Sequence, residues 1–420
     1  MSRKRLLILV SIALLVLCAA AAATVLVLRK EPATSGPDRD LKGVEQPTTA
    51  EAPTPETPPS PPTPATPKES CWPVFGGTAA RRSDASATGW GRPRRRVWGK
   101  RLGAILEFPP SVCNGRLYIN DAKGRTWALD SATGRVRWQR KTGSVYDSTP
   151  AISGEYLVLG GIDGRIQALE RRTGRRLWEL KTGAPVETSP VVVKGDTVIA
   201  ASLDGRVYAL HLRTGRVRWA YRTGGEIKGS PTVDEARGIV YAANYAGEVV
   251  ALRLRDGKRR WRQAFRLDAI RTERIYSSTP FANGKIFFGT VGGYVYALDA
   301  RTGRLRWRHG VGEWVYSTPA LANGKVFVGD RAGRVLAIRQ RDGKRLWTAR
   351  VGGPITGTAV VIGRLVYVSS VRGGTWAFDT RTGKRVWSDR RGRYVPGMST
   401  DQRIYLSQNG YLSAWRARKE

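Results

Sequence analysis

The sequence predicts an all-β fold, an eight-bladed β-propeller of four-stranded antiparallel blades, and three observations predict it. Tryptophans recur at Trp98, Trp138, Trp178, Trp219, Trp261, Trp307, Trp347 and Trp387, roughly forty residues apart, which is the period of a repeat architecture. Each unit holds four short β-branched or aromatic segments punctuated by glycine, as in STPALANG, KVFVGD, GRVLAI and GKRLWTAR, and such units arranged radially make a propeller. The stretch ALDARTGRLRW at Ala297 is also written six further times, at Ala128, Ala168, Ala209, Ala251, Ala337 and Ala377.

Within that stretch the Thr-Gly or Asp-Gly pair predicts the turn between the third and fourth strands, where glycine takes the positive φ that strains other residues. The tryptophan four residues beyond lies on the outer strand and is expected to cover the next blade, while the small alanine lets that neighbour approach. The eight tryptophans therefore read as a mechanical clasp. Inner strands are expected near Pro109, Ser148, Thr188, Gly229, Ser277, Ser317, Thr356 and Pro396, which gives eight blades. The last unit, RIYLSQNGYLSAWRARKE, stops before an outer strand, and RRRVWGKRL around Trp98 is an outer strand without the other three. Each completes the other, so the N-terminal strand is expected to close the ring.

Ahead of the propeller, assigned to residues 70–420, Leu6 to Leu28 carry no charge, a run of roughly 35 Å as a helix and enough for a bilayer core. Arg3, Lys4 and Arg5 precede it and favour a cytoplasmic N-terminus. Residues 1–30 are expected to be an uncleaved transmembrane signal-anchor; a cleaved signal peptide is the rival. A lipoprotein reading of Cys18 ranks third because Leu17 precedes it. Residues 31–69, rich in Pro and Thr, cannot bury a core and read as a disordered, extended spacer. The propeller is thereby expected on the extracytoplasmic side, and monomeric. Cys71 and Cys113 are the two cysteines outside the apolar run; they form either a disulfide or a pair of small buried hydrophobes.

The Ala-x-(Asp)-x-x-Thr-Gly-(Lys/Arg)-x-x-Trp pattern resembles the tryptophan-docking motif of the PQQ-like, or quinoprotein-like, propeller superfamily. The opening CWPVFGG at residues 71–77 also resembles the start of such domains. The resemblance spans about residues 71–420 and implies fold more strongly than function. It offers a quinoprotein dehydrogenase that holds a quinone over the channel with Ca²⁺, or a non-enzymatic module like the BamB-type branch, which works through protein contacts. Adjacent cysteines of the kind those dehydrogenases carry are missing from the sequence, and a convergent set of oxygen ligands is not evident. No bound cofactor and no catalytic or metal-binding residues are therefore expected. His211 and His309 read as surface or turn histidines, and glycine-rich pieces such as GGIDG at 160–164 read as β-turns.

Two surfaces remain for function. The links from each outer strand to the next inner strand emerge on one face and gather Tyr146, Asp147, Glu187, Lys228, Arg274, Tyr276, Trp314, Tyr316 and Tyr394. Aromatic and charged groups converging on an opening suit a peptide, glycan or protein partner; their bland alternative is to plug the channel. The net charge is +37, from 71 Lys and Arg against 34 Asp and Glu. Outer strands alternate basic and apolar residues, as at Arg216, Val217 and Arg218 and at Arg304, Leu305 and Arg306, and Arg92, Arg94, Arg95 and Arg96 extend the belt. The belt either protects strand edges or docks an anionic envelope polymer. Nucleic acid is the least expected ligand outside the cytoplasm. The first expectation is an envelope scaffold that binds a protein partner, the second a quinone-dependent dehydrogenase, the third a binder of anionic wall polymer.

Overall fold

A computed structural model describes residues 48–49, 71–88, 90–143, 148–268, 272–394, 396–400 and 403–419. The expected anchor at 1–30 and nearly all of the spacer at 31–69 lie outside the described residues. Among those described, no helix is long and apolar enough to cross a membrane. Within the spacer, Thr48–Thr49 pairs with Trp178 and Glu179 as a fifth strand on one blade, using the open edge that any outer strand presents.

The described chain is all-β apart from one short 3₁₀ turn, Ser86–Thr88, and its main sheets are eight antiparallel blades. Blades 1 to 7 run in chain order over Ser111–Lys141, Ala151–Lys181, Val191–Arg222, Thr232–Ala264, Phe281–Gly310, Ala320–Arg350 and Val360–Asp389. Blade 8 takes three strands from Gly397–Lys419 and its outer strand from Trp90–Arg101, which pairs antiparallel with Tyr411–Lys419. Inner strands begin a few residues after the expected positions, because the Ser/Thr-Pro steps before them serve as anchors rather than as strand.

The clasp works in a different way from the one the motif suggested. The motif's alanine faces its own blade's tryptophan across the sheet, as in Ala209↔Trp219, and a bulge follows at once. The close approach of the next blade occurs at the glycine instead. Seven of these glycines, from Gly134 to Gly383, have φ between 69° and 76°, and a Cβ on any of them would stand 2.5–2.9 Å from the preceding blade's indole. The glycine is thus required twice, for its φ and for the ring packed on it. Each indole then donates to a carbonyl just upstream of that glycine. Trp98 Nε1 reaches Ser131 O at 3.0 Å, Trp178 reaches Leu212 O at 2.7 Å, and Trp347 reaches Thr380 O at 3.1 Å. Blade 8 has no such turn, and there Trp387 meets the edge of Trp415, centroids 6.2 Å apart.

The channel is filled by the chain itself. Segment 71–85 winds past the inner strands and offers them its carbonyls in order. Ile152 N donates to Pro73 O, Val233 N to Ala79 O, Phe281 N to Ala80 O, Leu321 N to Arg82 O and Val361 N to Ser83 O, all at 2.8–2.9 Å. The inner strands' N–H groups, otherwise a ring of free donors, are satisfied in this way. A disulfide between Cys71 and Cys113, Cα atoms 4.4 Å apart, pins the segment's start to blade 1. Arg81 lies at its centre with no exposed surface. Its guanidinium donates to Pro231 O, Ser189 O and Phe75 O. Burial pulls its pKa down to about 9, still above neutral, and the three acceptors satisfy a cation that is otherwise costly to bury.

Candidate functional site at the funnel mouth

Strand direction alternates, so the outer-to-inner links and the hairpins between second and third strands share one face. On it six of the links carry a buried aliphatic anchor among the described residues: Leu106, Val186, Ile227, Ile275, Val315 and Ile355 are all at most 2% exposed. The residue after each anchor is thereby aimed at the axis. Those residues are Glu107, Glu187, Lys228, Tyr276, Tyr316 and Thr356, one from each of these six links. They border a cavity of about 340 Å³ whose floor includes Phe75 and Phe108, two rings in edge contact at 6.0 Å.

Below this ring the Ser/Thr-Pro steps form a second tier. Thr149 N donates to Ser189 Oγ, Ser189 N to Ser230 Oγ, Ser230 N to Ser278 Oγ and Ser278 N to Thr318 Oγ1, at 2.9–3.0 Å. Blade is tied to blade by one hydroxyl each, which explains the repeated Ser or Thr before proline.

The mouth is chemically lopsided. On the side of blades 4 to 6, aromatic rings stand in series: Tyr245 against Tyr276 at 4.8 Å, Tyr276 against Tyr316 at 4.7 Å, and Tyr316 against Trp314 at 5.7 Å. Cations are set among them. Lys228 Nζ lies 5.5 Å from the Tyr245 ring and 5.2 Å from the Tyr276 ring, and Arg331 lies 4.3 Å from the Trp314 ring, within cation–π range. Lys228 also bonds the Glu187 carboxylate at 3.3 Å. Burial opposes its charge, but the Glu187 carboxylate and the Tyr276 hydroxyl outweigh it and hold the ammonium above the usual lysine range. Burial likewise raises the Tyr316 phenol, so both side chains keep their protons at neutral pH.

Of the residues expected here, Glu187, Lys228, Tyr276, Tyr316 and Tyr394 border the cavity. Trp314, 38% exposed, stands outside it and is joined through Tyr316, while Arg274 is exposed one step before an anchor. Tyr146 and Asp147 lie outside the described residues. Glu107, Phe108, Thr356 and Phe75 were not anticipated. The signal for Glu107 and Thr356 was present, since each follows an aliphatic residue at the anchor position; Phe75 had none, because its segment does not repeat. The channel's plug is chiefly segment 71–85 rather than the funnel aromatics.

The rim is basic but partly neutralised. Arg216 and Arg304 are exposed, whereas Arg218 and Arg306 are bonded to Asp196 and Asp299 at 2.7 and 2.6 Å. Leu305 is 51% exposed, whereas Trp307 on the same strand is 8% exposed, so the strand is covered only where its indole packs. Arg92, Arg94, Arg95 and Arg96 are exposed along the closing strand. His211 is exposed on blade 3 and His309 half-buried on blade 5, and among the described residues no three His, Cys, Asp or Glu side chains gather as a metal site.

Comparisons with known proteins agree with this architecture. BamB from Moraxella catarrhalis has a similar fold at 19% identity and a TM-score of 0.66, over 77% of this chain and 99% of that one. A europium-containing methanol dehydrogenase matches at 17% identity and 0.66, over 80% and 87%. The quinohemoprotein alcohol dehydrogenase of Comamonas testosteroni matches at 15% and 0.64, over 84% and 82%. At such identities the likeness shows the fold alone. No match was found among curated proteins. The family model described as outer membrane protein assembly factor BamB matches residues 84–267, 246–356 and 350–419, and this chain belongs to that PQQ-repeat propeller family.

Proposed function

We propose that the protein is a non-enzymatic scaffold of the cell envelope that binds an extended segment of a partner protein in the funnel mouth. The aromatic series Tyr245–Tyr276–Tyr316–Trp314, interleaved with Lys228 and Arg331, carries this reading. Rigid aromatic rings make contact area at little entropic cost, and the half-buried Lys228 and exposed Arg331 among them favour acidic or carbonyl-rich peptide. The floor of Phe75 and Phe108, with Arg81 buried and bonded to Phe75 O, keeps the partner at the mouth. Of the mouth's carboxylates, Glu187 is engaged by Lys228, so a hard cation would have to break that pair to gain an oxygen ligand.

A photocrosslinking side chain at position 316 in the full chain tests this. A discrete protein adduct is expected, lost in the Tyr276→Ala variant and absent when the crosslinker replaces Leu346 on the rim. Added pyrroloquinoline quinone with Ca²⁺ is expected to leave the protein without alcohol-dependent dye reduction. No adduct from position 316 overturns the proposal, and dye reduction with the quinone overturns it in favour of a dehydrogenase.

A further inference from the structure

On the same face, away from the axis, blades 7 and 8 enclose a cleft of about 680 Å³ bordered by Arg101, Arg372, Arg390, Arg391 and Arg393, with Tyr411 as the aromatic wall. Three separate pieces of chain supply these arginines: the end of the closing strand, a hairpin of blade 7 and the link that follows blade 7. Among the described residues, Asp389 is the sole carboxylate bonded to any of them, and it takes Arg391 at 2.8 Å. The Arg393 Nε is buried without a hydrogen-bond partner, an unmet donor on a residue that borders the cleft.

The repeat shows that this concentration is local. At the hairpin position that Arg372 occupies, blades 2 and 3 carry Asp163 and Asp204, blades 4 to 6 carry Ala246, Gly292 and Ala332, and blade 1 alone has another cation, Lys123. Where blade 7 has Ser370, blades 1 and 6 have Asp121 and Asp330, each neutralising an arginine at 2.7 and 2.6 Å. In the link, Arg393 stands where other blades have Ala184, Gly225, Glu313 and Gly353. A general preference for arginine would load equivalent positions in every blade. Arg101 and Arg390 follow that preference, since blades 1, 2, 3 and 6 carry Lys141, Lys181, Arg222 and Arg350 there, whereas Arg391 and Arg393 have no basic counterpart in another blade and are added at the junction where the ring closes.

We propose that this cleft binds a phosphate ester. Guanidinium forks pair with phosphoryl oxygens two at a time, and four arginines without a bonded carboxylate suit a group carrying more than one charge-bearing oxygen. The volume exceeds that of a bare phosphate and lies in the range of small-molecule sites, so the remainder of the ester lies against Tyr411. The site is separate from the funnel and independent of what the funnel binds.

Binding of inorganic phosphate, glycerol phosphate and phosphatidylglycerol-containing vesicles to the full chain tests the proposal. Two double variants are compared with the unaltered protein. Arg372→Gln with Arg393→Gln empties the cleft of two cations; Arg301→Gln with Arg304→Gln removes the same charge from an exposed turn of blade 5. Saturable binding is expected, weakened about tenfold or more by the first pair, unaffected within about twofold by the second, and reduced by salt. Glycerol phosphate binding in solution identifies a soluble ester; binding on vesicles alone identifies a lipid headgroup. Equal weakening by both pairs, or no saturable binding to any probe, overturns it.

Discussion

Each glycine of the repeated turn answers two demands at one atom, and their consequences are separable. Gly257 has φ 69°, and a Cβ there would lie 2.7 Å from the Trp219 ring. Gly257→Ala is expected to cost about 2 kcal/mol or more, strain and displaced indole together, read as a lower urea midpoint. Trp178 buries all but 1% of its surface and bonds Leu212 O. Trp178→Ala is expected to cost roughly 3–5 kcal/mol, more than Trp178→Phe, which keeps most of the ring but leaves the carbonyl unpaired. The turn's glycine, alanine and tryptophan were all legible in the sequence. Which blade each one touches was not, because a linear motif does not say across which interface a side chain points. Arg81 was illegible for a different reason. A single arginine among seventy-one basic residues carries no mark of burial, and its partners are main-chain carbonyls, which any sequence supplies.

The repeated turn is also an electrostatic element. Asp299 Oδ1 accepts from Arg301 N, Thr302 N and Thr302 Oγ1, while Oδ2 takes Arg306. Burial works against its charge, but Arg306 and the Thr302 donors outweigh that and draw its pKa to about 2. Asp130, Asp256 and Asp379 are lowered in equivalent turns. A carboxylate whose folded pKa is depressed stabilises the fold above its unfolded value and ceases to do so as pH falls through the folded one. Stability is therefore expected to fall between about pH 4 and pH 2. The urea midpoint of Asp299→Asn should lie below that of the unaltered protein at pH 7 and converge with it near pH 2. At this scale the sequence was informative about strands, because period-two alternation and turn glycines repeat. It was less informative about the links, where the candidate site residues sit. Glu107 was missed because its link, LGAILEFPP, lacks the Ser or Thr that precedes the inner strand in the others, although Leu106 is buried there like the other described anchors.

For the molecule as a whole, the eightfold count and the closing strand followed from two incomplete units at the chain's ends. The plug did not, since segment 71–85 is unique, its bonds run through main-chain carbonyls, and neither leaves a pattern of side chains. It nevertheless joins six of the eight blades, and the disulfide closes 42 residues of chain around its start. Replacing both Cys71 and Cys113 by serine is expected to cost about 2–4 kcal/mol, checked by denaturation with and without reductant, the variant being insensitive to reductant.

A channel sealed by the chain itself would confine the proposed peptide recognition to the mouth, and that reading depends on the seal. Hydrogen exchange at the Val233, Phe281, Leu321 and Val361 amides, which donate to carbonyls of the plug, tests it most directly. A permanent seal predicts protection as strong as that of the strands within the blades. Exchange on the timescale of an exposed loop would mean that the plug leaves its seat, opening the axis to a ligand or cofactor and contradicting a binding site limited to the mouth.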